Sequence, residues 1–154
     1  MLLSELLNAQ AISPRLNSTA KRDVIVELVE LLESAHGLRS NGEILDRVLK
    51  REAMMSTGIG NGVAIPHGKA KAAERLVAAC GVSVEGVDFD SVDGAPAHLF
   101  ILLVSPESVA APHVKVLASI SRLSKEDTVR QQLRDAGSAA DFLAILKDAE
   151  KKYL

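Results

Sequence analysis

His98-Leu99-Phe100-Ile101-Leu102-Leu103-Val104 is a near-continuous apolar run. A strand with one wet face alternates apolar and polar residues, whereas an unbroken run is apolar on both faces. Residues 98–104 therefore read as a strand covered on both sides, and the rest of the chain must supply two covering layers.

The flanking sequence supplies them. Upstream, Val24, Ile25, Leu28, Val29, Leu31 and Leu32 recur at helical spacing, which predicts a helix from about Ser18 to Ala35 with Gly37 as its C′ residue. Asn41 is placed to cap a second helix through Ile44, Leu45, Val48 and Leu49 to about Met54. Downstream, Pro112 suits a first helical turn, which puts His113 in that turn and Val116, Leu117, Ile120 and Leu123 on the apolar face. Two more helices are predicted over 126–136 and 139–152, the second with Ser138 and Asp141 in a capping pattern. Between these groups lie the shorter apolar runs. Val63-Ala64-Ile65 reads as a short buried strand ended by Pro66, Lys69 to Arg75 as a polar connection, and Leu76 to Val84 as a strand with a bulge at Gly81. Val87 to Val92 reads as a weaker strand, and Asp93-Gly94 as a tight turn. The order helices, strands, helices predicts an α/β fold: a single layered domain over residues 1–154 with a mixed β-sheet flanked by helices on both faces.

Composition narrows the function. Hydrophobic residues make up 47% and charged residues 25%, enough for a core and a solvated surface. Aromatic residues are only 3%, and the formal net charge is -2. Stacking platforms and basic footprints for nucleic acid are therefore not expected. Cys80 is the one cysteine, so neither an intramolecular disulfide nor a cysteine-based zinc cluster is possible. No run approaches the roughly 18 apolar residues of a membrane span. The first eight residues, with an early Glu5 and no basic region, do not read as a signal peptide. The expectation is a cytoplasmic protein with no membrane insertion.

The chemistry points to Gly58-Ile59-Gly60-Asn61-Gly62-Val63-Ala64-Ile65-Pro66-His67-Gly68. His67 follows a proline at the predicted end of a strand, on a constrained backbone. Of the four histidines, His67 and His113 fall where strand ends and helix starts meet, the usual place for a site. Arg51 lies beside the apolar stripe near the end of its helix, either as a snorkelling surface residue or as a fork for an anion. Asn61 and the amides around it, Gly62 included, are candidate neutral donors. This set suits a tetrahedral, multiply charged anion beside His67. A neutral imidazole can attack phosphorus through one nitrogen while the other keeps its proton. His36 reads as a surface residue at a helix end, and His98 as a structural histidine at the start of the buried strand. Other chemistries fit less well. Glu107 could join two histidines at a metal, but no HExxH spacing exists. There is no G-x-S-x-G, Walker A or G-x-G-x-x-G pattern. No metal and no cofactor is expected.

The stretch from Gly58 to Gly68 resembles the phosphorylation-site signature of enzyme IIA proteins of the bacterial phosphotransferase system, of the fructose/mannitol type that includes nitrogen-regulatory IIA proteins. Val87 to Gly94 resembles that family's central acidic segment, and His113 to Leu123 its second histidine-containing helix. The resemblance implies a sheet of about five strands, phosphorylation of His67 by an HPr-like phosphocarrier, and His113 and Arg51 beside the phosphoryl group. Lys21 to Leu28 look like the nitrogen-regulatory members. The implied role is a phosphorylation-dependent regulator with downstream protein targets. The alternative is a sugar-transport IIA that passes the phosphoryl group to a separate IIB.

Overall fold

The structure is a computed structural model that describes residues 1–108 and 111–154, with residues 111–113 described by backbone alone. Among these residues are helices α1 (Lys21–His36), α2 (Glu43–Met54), α3 (Ala111–Leu123), α4 (Asp127–Arg134) and α5 (Ala139–Tyr153). The strands are β1 (Ile12–Ser13), β2 (Gly58–Gly60), β3 (Val63–Ala64), β4 (His67–Ala70), β5 (Val77–Val87) and β6 (Ala97–Pro106). They form one six-stranded sheet in the order β1-β5-β6-β3-β2, with β4 also paired to β6. The sheet is mixed: β1–β5, β3–β6 and β4–β6 are parallel, whereas β5–β6 and β2–β3 are antiparallel. Because β3 and β4 lie end to end along β6, the sheet is five strands across.

The apolar run of β6 does what its pattern requires. Leu99, Ile101 and Leu103 enter a core with Ile120, Leu123, Val129, Phe142 and Leu146 of α3, α4 and α5. Phe100, Leu102 and Val104 enter a second core with Val24, Leu28, Leu32, Ile44 and Val48 of α1 and α2. β5 alternates in the same way, sending Ala78, Cys80 and Val82 to the first core and Val77 and Ala79 to the second. Strand side chains alternate faces, so two apolar faces need two helical layers. Among the described residues no helix is long and apolar enough to cross a membrane.

Several local expectations need correction. α1 starts at Lys21 rather than near Ser18, because the Glu27 carboxylate accepts hydrogen bonds from the backbone N–H groups of Asn17 and Ser18 outside the helix. Gly42, with φ 90°, precedes α2 in place of an Asn41 cap, and Ser40 Oγ accepts from Ile44 N–H. The β5–β6 register runs unbroken past Gly81 and shifts only between Val82 and Val87. Gly81 answers a different demand, since a Cβ there would lie 2.7 Å from Leu16 Cδ2. The weak strand expected over 87–92 is a turn beyond Val87. Asp90 has φ 54°, and its N–H donates to Asp88 Oδ1. Side chains that bond their own backbone compete with a ladder. Phe89 fills the second core from this turn, its ring centroid 5.4 Å from that of Phe100. The turn at Gly94 (φ 71°) and the left-handed Gly37 (φ 65°) closing α1 occur where the sequence places them. Ser138 Oγ accepts from Asp141 N–H at the start of α5.

Candidate functional site

His67 opens a strand instead of ending one. Pro66 has no N–H to donate, which interrupts the ladder after β3. Its carbonyl still accepts from Leu103 N–H at 3.1 Å, and the chain re-enters the sheet as β4 with His67 opposite Leu103. Lys69 and Ala70, expected in a polar connection, complete that strand. Gly68 makes room for α2. A Cβ there would lie 3.3 Å from Val48 N and 3.4 Å from the Arg47 carbonyl carbon, so the helix backbone rests directly on the residue after His67.

The His67 ring is oriented by its own backbone, with Nδ1 2.9 Å from the Ile65 carbonyl oxygen. A carbonyl only accepts, so Nδ1 carries the hydrogen and Nε2 is the lone-pair nitrogen. Burial of the ring is the main influence holding its pKa below the ordinary histidine value. The bond to Ile65 opposes that shift, the Arg51 guanidinium reinforces it, and Glu52 opposes it. The net effect favours a neutral imidazole near pH 7.

The ring faces an open cleft of about 500 Å³ lined by Arg47, Lys50, Arg51 and Met54 of α2, His67, Gly68 and Lys69 of β4, and Val114 and Leu117 of α3. Arg51 Nη1 donates to the Met55 carbonyl at 2.8 Å, which anchors the side chain at the C-terminal end of α2. Next to Arg51 on α2, buried Glu52 accepts from Thr57 N–H (2.9 Å) and Oγ1 (2.5 Å) and pairs with Lys21 Nζ at 3.1 Å. This network ties the end of α2 and the start of α1 to the segment that leads into β2.

Of the residues singled out from sequence, His67 and Arg51 line the same cleft. His113 falls in the first turn of α3, whose Val114 and Leu117 border the cleft, but its side chain lies outside the described residues. Asn61 and Gly62 do not line the cleft. With φ values of 58° and 75° they form the two-residue turn joining β2 to β3, where Asn-Gly supplies the positive φ angles a tight hairpin needs. Val63 pairs with Leu99 and His67 with Leu103, so the turn sits about 13 Å or more from His67 along the sheet. Glu107 forms an ion pair with Arg47 at 2.7 Å, and among the described residues no three metal-ligating side chains gather. His98 Nδ1 bonds the Ser83 carbonyl at 3.0 Å, a structural role. His36 is not simply a surface residue, because its Nε2 lies 2.8 Å from the Ala78 carbonyl of β5. Sequence reasoning missed Arg47, Lys50 and Lys69 as lining residues. The i, i+4 spacing of Arg47 and Arg51 was the available signal.

The chain as a whole is similar to known proteins. The family described as "Phosphoenolpyruvate-dependent sugar phosphotransferase system, EIIA 2" matches residues 5–149. A nitrogen regulatory protein of Bradyrhizobium diazoefficiens is 32% identical over 146 residues, covering 95% of this chain and 95% of that protein. The fructose-specific EIIABC component of Bacillus subtilis is 35% identical over 151 residues, and this chain spans 24% of its length. Nitrogen regulatory protein IIA-Ntr of Neisseria meningitidis has a solved structure with a TM-score of 0.82 at 31% identity, covering 93% of this chain and 97% of that one.

Proposed function

The chain belongs to the phosphoenolpyruvate-dependent sugar phosphotransferase system EIIA 2 family, and on that premise we propose that it is a regulatory phosphoryl acceptor. His67 takes a phosphoryl group from an HPr-like phosphocarrier in the cytoplasm. The phosphorylated and unphosphorylated surfaces then bind downstream regulatory proteins differently. The observation that carries this reading is the 2.9 Å approach of His67 Nδ1 to the Ile65 carbonyl. It leaves Nε2 as the nucleophile. A bond forms from Nε2 to phosphorus as the donor's bond to phosphorus breaks, and the departing donor ring takes the electron pair. Nδ1 keeps its hydrogen on the Ile65 carbonyl throughout. Arg51 supplies permanent positive charge in the same cleft, and His113 is the further donor to the phosphoryl oxygens. Phosphoryl transfer needs little beyond such positioning and charge. The product adds about two negative charges to a partly apolar surface, which changes what can dock there.

A second reading is a sugar-transport IIA that passes the phosphoryl group to a separate IIB. It is supported by the identity to the fructose-specific component. The regulatory reading draws on the likeness to IIA-Ntr and on the character of residues 21–28. Incubation with phosphoenolpyruvate, enzyme I and an HPr-type protein tests the common core. Wild type should gain an acid-labile, base-stable phosphate, His67→Ala none, and Arg51→Gln should label about a hundred-fold more slowly. An unlabelled wild type or a fully labelled His67→Ala variant overturns the reading. Rapid onward transfer to a fructose-type IIB would favour the second role over the first.

A further inference from the structure

The cationic face of α2 holds more than the phosphoacceptor reading uses. Arg47, Lys50 and Arg51 all line the His67 cleft. Like charges at i, i+4 repel on a helix surface, so Arg47 beside Arg51 favours an anion there. Arg51 is fixed on the Met55 carbonyl and Lys50 on Asp46 within the helix. Arg47 alone of the three pairs with a residue distant in sequence. Its Nη2 meets Glu107 Oε1 at 2.7 Å, on the segment just after β6. Its backbone position is also set, because the glycine at 68 lets α2 rest on β4 at Arg47–Val48, next to His67.

We propose that Arg47 is a second phosphoryl-recognising guanidinium of the His67 cleft, and that Glu107 occupies it as an internal anion until the phosphoryl group displaces that carboxylate. The inference rests on His67 being the phosphoacceptor. The exchange is favoured by charge, since a phosphoryl group brings about two negative charges and three acceptor oxygens against one charge and two oxygens from Glu107. Arginine suits the task, as its planar fork binds carboxylate and phosphoryl oxygens in the same geometry. The pair is also solvent-accessible, with side-chain exposures of 44% for Arg47 and 37% for Glu107. An exposed ion pair contributes little, so an incoming dianion can replace it. Phosphorylation at His67 is thereby relayed to Glu107, on the chain segment leading toward α3.

Phosphoramidate phosphorylates histidine without a protein donor, so it separates recognition of the group from docking of a partner. The phosphorylated protein is titrated by phosphorus NMR to obtain the second ionisation of the phosphoryl group. Lys50, Arg51 and Lys69 face the cleft in every variant, and only the 47–107 pair changes. Arg47→Gln should raise that pKa by about half a unit, because a neighbouring cation has been lost. Glu107→Gln should lower it, because Arg47 is released to the phosphoryl group. In an Arg47→Gln background, Glu107→Gln should give at most a small residual shift. An ion pair that acts only through its charges would give Glu107→Gln the same downward shift with Arg47 present or replaced, and that outcome overturns the inference. An unchanged pKa in Arg47→Gln, or an unchanged or raised pKa in Glu107→Gln, overturns the inference. If wild type takes no phosphoryl group on His67 from phosphoramidate or from the protein relay, it is the phosphoacceptor reading that fails.

Discussion

Replacing Gly58 with alanine tests whether the glycines before His67 answer a packing demand. A Cβ at position 58 would lie 2.3 Å from Ser91 Oγ, 2.9 Å from Ser91 Cα and 2.9 Å from Ser91 Cβ. A rotating side chain could relieve the first contact but not the second, which is backbone. The Ser91 segment is also pinned, since Val92 N–H donates to the Gly58 carbonyl at 3.0 Å. Overpacking of this kind costs roughly 1–3 kcal/mol. The unfolding entropy of a globular chain is about 2.1 cal/mol/K per residue, so 2 kcal/mol over 154 residues lowers Tm by about 6 °C. Thermal unfolding followed by circular dichroism reads this directly. Ser91→Ala provides the companion variant. Ser91 Oγ is buried and has no hydrogen-bond partner among the described residues, so its removal alone should cost under about 0.5 kcal/mol. In the Gly58→Ala background it should recover part of the lost Tm by deleting the nearest clash. A Gly58→Ala protein that melts within about 1 °C of wild type, or one that Ser91→Ala fails to rescue at all, would refute the reasoning.

Two further perturbations address the supports of the site. Burial holds the His67 pKa below the ordinary histidine value of about 6.5 in the folded chain, so the unfolded chain binds the proton more readily. The resulting penalty is absent above about pH 6.5, grows as pH falls through that value and stops growing below the folded pKa. Urea unfolding at pH 7.5 and 5.5 should therefore show wild type losing more stability than His67→Gln, and equal losses would contradict the assignment. Glu52→Ala removes the buried acceptor of Thr57, while Lys21 keeps Asp90 at 3.2 Å, and should cost about 1–3 kcal/mol in the same assay. Lys50→Ala, which breaks only the exposed Lys50–Asp46 pair, should stay within about 0.5 kcal/mol, and equal losses in the two variants would remove the case for the Glu52 network.

What the sequence by itself determined is whatever depends on neighbours along the chain. The period of Val24, Ile25, Leu28, Val29 and Leu32 marks the buried face of α1, and Gly37 marks its left-handed end. The unbroken run in β6 required two covering layers, and both are present. Membership in the family was legible at Gly58 to His67, because a glycine-rich approach to a proline-held histidine is a local arrangement. The tertiary structure decided whatever depends on pairings between distant segments. β4 looked like a polar connection because Lys69 is exposed, yet Gly68 and Ala70 are buried and the segment gains a ladder from β6. His36 looked like a surface residue until β5 brought the Ala78 carbonyl to its ring. Asn61 was read as a donor to an anion, but the hairpin it forms carries it away from His67 along the sheet. Arg47 and Glu107 are 60 residues apart, and no periodicity connects them. Local pattern encodes which way a side chain faces, whereas the partner it meets depends on how the chain returns through space.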